Sequence, residues 1–328
     1  MPMSPGPVDR PIFVVGVPRS GTTLVFNSFA ARPDLAWFTQ HLNRFPGWPS
    51  VTALARLIDV LPSVRKSILR SDDGHRWWEK ARIGPVEGYP VWERYAGKRF
   101  PYESLVGERP TPEQVDRLRA LIGKLLRYQG KDRFATKITG PARIGFLSGV
   151  FPDAYFMHVI RDGRAVARSL MKVGFWAGSW RERSAAWEGV LGDQDVARWR
   201  ELGEQPLALA GLQWQALIRG AREEAGRYVP ERYAEVRYED FVADPHAAID
   251  EMVAFCELPE LTAPHRFLSA RVEVRDMNTR SDDLSDADEA MLEDLIGNEL
   301  AELGYLGKPS PRASGSARLV RPFAGGGE

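Results

Sequence analysis

Residues Ile12-Phe13-Val14-Val15-Gly16 run straight into Val17-Pro18-Arg19-Ser20-Gly21-Thr22-Thr23-Leu24: an apolar run, a glycine-bounded loop and a helix start crowded with hydroxyls. Four β-formers in a row read as a buried strand. Gly16 and Gly21 let the chain bend and bring its backbone close to a ligand. The amides of Ser20 to Thr23 then stand at a helix N-terminus with no acceptors of their own, which makes the turn a cradle for a phosphate-type anion. An ordinary strand-to-helix turn has no need of Arg, Ser, Gly, Thr and Thr in succession, so anion binding is the better reading.

The loop departs from a Walker A motif in one informative way. Gly16 and Gly21 have the GxxxxG spacing, but Thr22 stands where GxxxxGK[ST] requires the lysine that reaches the β- and γ-phosphates. The positive charge sits inside the loop instead, on Arg19. That favours an anion with one 5′-phosphate and a transferable terminal group over a magnesium-bound triphosphate. Far along the chain, Ala154 to Leu170 reads AYFMHVIRDGRAVARSL, with a strand over Tyr155 to Ile160 and a helix from Ala165 onward. Arg161 lies at the carboxyl end of that strand, where open α/β sheets bind ligands. Ser169 falls about two turns into the helix, on the side that returns to Arg161, so the two can share one phosphate.

Together PRSGTTL and VIRDGRAVARS resemble the two nucleotide-binding signatures of sulfotransferases that use 3′-phosphoadenosine 5′-phosphosulfate (PAPS). The spelling of the first is closest to the tyrosylprotein, carbohydrate and bacterial small-molecule branches. Three further stretches carry the likeness, which spans residues 10 to 306: Ala135-Thr136-Lys137-Ile138, then Val236 to Pro245 with its Tyr238-Glu239-Asp240, then Leu303-Gly304-Tyr305. The resemblance implies a P-loop-like, three-layer α/β fold with a central parallel sheet flanked by helices. It implies that Arg19, Ser20, Gly21, Thr22 and Thr23 hold the 5′-phosphosulfate, that Arg161 and Ser169 hold the 3′-phosphate, and that Tyr238 lies near the adenine. A late basic loop closes over the 3′-phosphate in that family; Met277-Asn278-Thr279-Arg280 offers Arg280 as the match, with Arg275 second. PAPS would be the co-substrate, PAP the product, and no metal would be needed, because Arg19 and Lys137 match two family cations that face the bridging and sulfuryl oxygens. The spacing of 24 residues from Lys137 to Arg161 is also close to the family's.

The general base is left with two candidates. Relatives with Arg in the loop often place a Glu about twenty residues after it, and here those positions read Thr39, Gln40 and His41. His41 is one candidate. The other, placed ahead of it, is Glu87 in Gly84-Pro85-Val86-Glu87-Gly88-Tyr89-Pro90-Val91-Trp92, which resembles a Pro-x-Glu segment followed by Trp in bacterial relatives. His158 reads as a packed strand residue. His75, Glu79, Trp77 and Trp78 in DGHRWWEK border the expected acceptor mouth, the tryptophans more simply as core.

Composition bounds the rest. Lys plus Arg and Asp plus Glu are both 44 of 328 residues, so bulk charge points to no nucleic acid or other polyanion. One cysteine, Cys256, excludes an intramolecular disulfide and a multi-cysteine zinc site. No window reaches the ~18 apolar residues of a membrane span, and MPMSPGPVDR has no signal-peptide core; the cytoplasm is the expected compartment. Apolar runs alternating with helical patterns predict parallel βαβ construction. Strands are expected at Ile12 to Gly16, within 34 to 43, at Phe134 to Ile138, Tyr155 to Ile160 and Ala234 to Arg237. Helices are expected at Thr22 to Ala31, Val51 to Leu61, Pro112 to Tyr128, Leu207 to Ala225 and Asp286 to Leu303. Residues 46 to 130, rich in Pro and Trp, read as a helical acceptor-side cover within a single domain. Lys308 to Glu328 reads as a flexible tail.

The acceptor is expected to be a hydroxylated molecule in an aromatic-lined cleft, equally suited to a sugar, a phenol or a lipid-linked headgroup. Two other readings remain open from the residues alone. One is a nucleotide kinase or other P-loop NTPase, which would need the missing lysine and a magnesium-binding acid. The other is a nucleotide-binding protein without catalysis.

Overall fold

Successive residues of the first strand, β1 (Ile12–Gly16), face opposite sides of the sheet, and that alternation sorts the core. Phe13 stacks on Phe156 with ring centroids 5.3 Å apart, inside a cluster that also holds Trp92, Leu121 and Phe134. Ile12 and Val14 point the other way, into a second cluster with Val25, Phe29, Met157 and Ile249.

The computed structural model describes residues 8–56, 84–174, 176, 189–269, 284–306 and 319–323. After β1 come α1 (Thr22–Ala30), β2 (Leu35–Ala36), α2 (Gln40–Arg44) and a 3-10 helix (Pro49–Ala55). Then follow α3 (Tyr89–Ala96), α4 (Pro112–Gln129), β3 (Arg133–Thr139), α5 (Ile144–Val150), β4 (Tyr155–Ile160), α6 (Gly163–Met171), α7 (Asp193–Glu201) and α8 (Pro206–Tyr228). The chain continues through β5 (Tyr233–Arg237), α9 (Tyr238–Ala243), α10 (Pro245–Phe255), α11 (Thr262–Ser269), α12 (Asp286–Glu302) and β6 (Leu319–Val320). The strands form one sheet in the order β2-β3-β1-β4-β5-β6. The register sets Gly16 beside Thr139 on one side and Val159 on the other, so the loop after β1 opens between the carboxyl ends of β3 and β4. Helices cover both faces, and a third cluster, with Trp214, Ile218, Ile296 and Leu300, packs α6, α8 and α12 together. This is the mixed α/β layering the sequence implied.

Local signals explain the main boundaries. α4 begins at a capping box, Thr111 accepting from Gln114 N–H while the Gln114 side chain returns to the Thr111 amide, and it ends on Gly130 in the left-handed region. Leu118, Leu121, Ile122 and Leu125 of α4 are buried, so this part of the expected cover is packed onto the sheet.

Three expectations need correction. The sheet is not wholly parallel: β6 pairs antiparallel with β5, Glu235 opposite Val320. It lies in the stretch read as a flexible tail, where Leu319 packs against the core, its amide donates to Glu251 Oε2 at 2.8 Å, and the Phe323 ring tilts onto Tyr233. The second strand lies within 34 to 43 as expected, at Leu35–Ala36, and it stops there because the Thr39 side chain accepts from Leu42 N–H and starts α2. The helix expected from Val51 is a 3-10 turn over Pro49–Ala55; its expected continuation to Leu61 lies outside the described residues.

Candidate active site

The anion loop is held in an unusual backbone shape. Arg19 has φ 75° and Gly21 has φ 86°, two left-handed residues that turn the chain sharply into α1. Gly21 is required twice over, since a Cβ there would also come within 2.1 Å of the Tyr238 ring. α1 starts with no side-chain cap and no acid in its first turn, but the expectation of four open amides needs one correction: Ser20 N–H donates to Val17 O at 3.1 Å and Leu24 N–H to Gly21 O at 3.0 Å, which leaves the amides of Gly21, Thr22 and Thr23 for an anion. Ser20 is fully buried, and among the described residues its hydroxyl has no hydrogen-bond partner.

The second signature closes on the first. Arg19 Nε donates to Ser169 Oγ at 2.9 Å, and Arg161 Nη1 donates to the Arg19 carbonyl at 3.1 Å. The Arg161 guanidinium lies 4.8 Å from the centre of the Tyr238 ring. Arg19, Gly21, Arg161, Ser169 and Tyr238, singled out in the sequence, therefore form one cluster. Its floor is a buried network that sequence reading missed. Asp162 caps α6 and pairs with Arg164 at 2.8 Å; Glu239 accepts from Tyr305 O–H at 2.7 Å; and Arg164 Nη2 donates to the Tyr305 carbonyl. Burial raises the Glu239 carboxyl above its usual value. The alternating acids and arginines of RDGR and RYED were the available signal.

Lys137 forms a separate centre. Its Nζ donates to Thr23 Oγ1 at 2.8 Å and pairs with Glu87 Oε1 at 2.8 Å. The other carboxylate oxygen, Oε2, accepts from Tyr89 O–H at 2.7 Å, Thr139 O–H at 2.8 Å and Thr139 N–H at 3.1 Å. Burial by itself would raise the Glu87 carboxyl, but the Lys137 ammonium and these hydrogen bonds outweigh it and hold Glu87 below the usual carboxylate value. Arg143, wholly buried, donates to the carbonyls of Phe100 and Pro101 nearby, and burial depresses it to about 10. Sequence reading found Glu87 and Lys137 but not Tyr89, Thr139 and Arg143. Thr139 shares Lys137's face of β3 by the two-residue period, and that was the signal for it.

Glu87 reaches this centre because its segment pairs with the chain before α2. Thr39 bridges Pro85, Val86 N–H donates to Phe38 O and Gln40 N–H donates to Gly84 O. The same pairing puts His41, the other base candidate, two residues past the bridge. Its Nδ1 is buried and, among the described residues, unpartnered. Arg19 and Lys137, expected to face the same atoms, have different partners: Arg19 joins Ser169, Lys137 joins Thr23 and Glu87. Arg275, Arg280, His75, Trp77, Trp78 and Glu79 lie outside the described residues. His158 is a packed strand residue as expected, Nδ1 2.6 Å from Tyr233 Oη, with burial holding it down to about 4.

The family model described as the sulfotransferase family matches residues 11–263, which include both donor loops, Lys137 and Glu87. The chain belongs to the sulfotransferase family. It is an enzyme, a PAPS-dependent sulfotransferase, and the kinase reading is not favoured. The sulfotransferase STF9 from Mycobacterium avium is similar in fold, with a TM-score of 0.55 and 16% identity over 94% of this chain and 79% of that one. STF1 from Mycobacterium tuberculosis H37Rv has a TM-score of 0.49 and 16% identity over 88% and 77%. Mouse SULT7A1, solved with PAP, has a TM-score of 0.44 and 8% identity over 90% and 87%. No curated protein sequence matches this chain. Among the described residues, this sulfotransferase has no helix long and apolar enough to cross a membrane and no group of three His, Cys, Asp or Glu that could hold a metal ion.

Proposed function

We propose that this sulfotransferase moves the sulfuryl group of PAPS directly, in line and without a metal, onto a hydroxyl of a small-molecule, carbohydrate or lipid-linked acceptor. Residues 10–306 act as the single catalytic domain, in the cytoplasm of a bacterium. The observation that carries the mechanism is Lys137 Nζ, 2.8 Å from both Thr23 Oγ1 at the donor loop and Glu87 Oε1. A cation that spans the donor cradle and a carboxylate supports a role for Lys137 in stabilising the charge that builds up as the bond to sulfur breaks. Sulfuryl transfer, like phosphoryl transfer, asks the protein mainly for position and electrostatics.

Each residue takes one task. The amides of Gly21, Thr22 and Thr23, with the Ser20 hydroxyl, hold the 5′-phosphosulfate, and Arg161 and Ser169 hold the 3′-phosphate, with Arg280 as the late-loop contribution. Tyr238 supports the adenine end. Arg19, exposed and bonded to the Ser169 hydroxyl, turns to the phosphosulfate when Ser169 takes the 3′-phosphate. Lys137 neutralises the leaving phosphate. Glu87 accepts the acceptor's proton, with His41 as the second candidate.

The test is a sulfate-transfer screen over pooled hydroxylated metabolites with PAPS, read as a mass gain, with and without a metal chelator. Transfer that survives chelation and is lost in Lys137→Ala is expected. Undiminished transfer by Lys137→Ala would remove Lys137 from the mechanism.

A further inference from the structure

In the resting enzyme Lys137 is not a bare cation. The Glu87 carboxylate faces it at 2.8 Å, and both side chains are largely buried, at 14% and 20% exposure. Its charge is therefore largely compensated before any chemistry occurs. The other face of the carboxylate is equally committed, because Oε2 already accepts three hydrogen bonds from Tyr89 and Thr139. A carboxylate oxygen offers about two lone-pair sites, so Oε2 has no room for a proton. Only Oε1 is left, and it is the oxygen that faces Lys137.

Resting on the reading of Glu87 as the base, we propose that Glu87 and Lys137 form a charge-release dyad in which the carboxylate masks the lysine until it takes the acceptor's proton. The acceptor O–H bond breaks and its proton goes to Glu87 Oε1. The acceptor oxygen forms the new bond to sulfur. The bond from sulfur to the bridging oxygen breaks, and that electron pair leaves on the 5′-phosphate of PAP. Protonation of Oε1 removes the negative charge opposite Nζ at the moment the phosphate gains one, so the attraction of Lys137 is transferred to the leaving group. Such an interaction is stronger in the transition state than in the ground state, which is the condition for raising turnover. Tyr89 and Thr139 are positioning residues: they occupy Oε2 and so direct the proton to Oε1.

PAP affinity, measured by calorimetry, reads the masking independently of turnover. In the wild type the lysine is masked, so Lys137→Ala should leave PAP affinity within about twofold. Glu87→Gln unmasks it and should tighten PAP by about tenfold, the scale of one charge-assisted contact, while turnover collapses. The tightening should vanish in the Glu87→Gln/Lys137→Ala double variant, which also shows that it comes from Lys137 and not from a general change in folding. Tyr89→Phe should fold, bind PAP normally and move the acid limb of the rate profile to higher pH, a shift that loss of packing alone would not cause. If Glu87→Gln loses turnover but binds PAP no tighter, the dyad is wrong and Glu87 is a base only. If Glu87→Gln keeps full turnover, the base reading falls and the dyad with it. A wild-type protein that binds no PAP would overturn the donor assignment instead.

Discussion

Arg19 Nε donates to Ser169 Oγ across 2.9 Å, joining the loop after β1 to α6, two residues that lie 150 positions apart in the chain. That contact, and the bond from Arg161 to the Arg19 carbonyl, make the two nucleotide signatures one surface at the carboxyl ends of β1 and β4. A ligand carrying two phosphate groups would be read by both at once.

Binding should therefore discriminate sharply for a 3′-phosphate. PAP is expected to bind far more tightly than adenosine 5′-phosphate. Arg161→Ala should weaken PAP by tenfold or more, given about 1.5–3 kcal/mol for a hydrogen bond to a charged group. Calorimetry on variants whose melting is unchanged checks this; equal affinities for the two nucleotides would refute it.

Gly21 should tolerate no side chain. With φ 86° and the Tyr238 ring against it, Gly21→Ala costs about 1–2 kcal/mol in backbone strain alone and displaces the ring as well. Urea unfolding should show at least that loss, together with loss of PAP binding. Gly21→Ala combined with Tyr238→Ala should recover part of the stability, since one of the two causes is removed.

The pH dependence of turnover should identify the base. The Glu87 carboxyl lies below its ordinary value of 4.5, so the base is ionised at neutral pH and activity falls only as pH drops through that lowered value. The ion pair with Lys137 follows the same sign: its stabilisation is present above the unfolded carboxyl value and is lost as pH falls through the folded one. A rate profile flat from pH 7 to about 5 is expected. A limb in the usual histidine range, about 6–7, together with an inactive His41→Ala, would give the task to His41.

Acid should also destabilise the fold through His158. Tyr233 O–H donates to Glu235 Oε1 at 2.8 Å, so the proton between His158 Nδ1 and Tyr233 Oη belongs to the histidine, and the ring is held neutral. Its folded value is about 4 against 6.5 unfolded. The unfolded chain thus binds the extra proton, and stability declines from about pH 6.5 down to 4, by about 3 kcal/mol in total. Urea titrations at pH 7 and 5 should show that decline in the wild type and a shallower one in His158→Asn.

Much of this architecture is set locally. The bounds of β1 and β4 follow from runs of β-formers closed by Gly16 and by Arg161-Asp162-Gly163, because a strand buried on both faces needs little beyond apolar residues of the right length. α4 follows from Thr111, Gln114 and Gly130, since helix ends satisfy their own amides and carbonyls with nearby groups. The donor loop is equally local: its glycines, hydroxyls and arginine lie within eight residues of one another. What the tertiary structure alone decides is convergence. Glu87 meets Lys137 from fifty residues away only because Pro85 bridges Thr39 and β3 lies beside β1. Tyr238 fills the space at Gly21 because β5 follows β4 in the sheet order. β6 exists because β5 offers an edge to the apolar pair Leu319–Val320, and Phe323 just beyond it packs on Tyr233. Propensity and periodicity act over a few residues, whereas sheet order and register choose which distant side chains meet. The sequence therefore carried the list of chemical groups, and the packing assigned their partners.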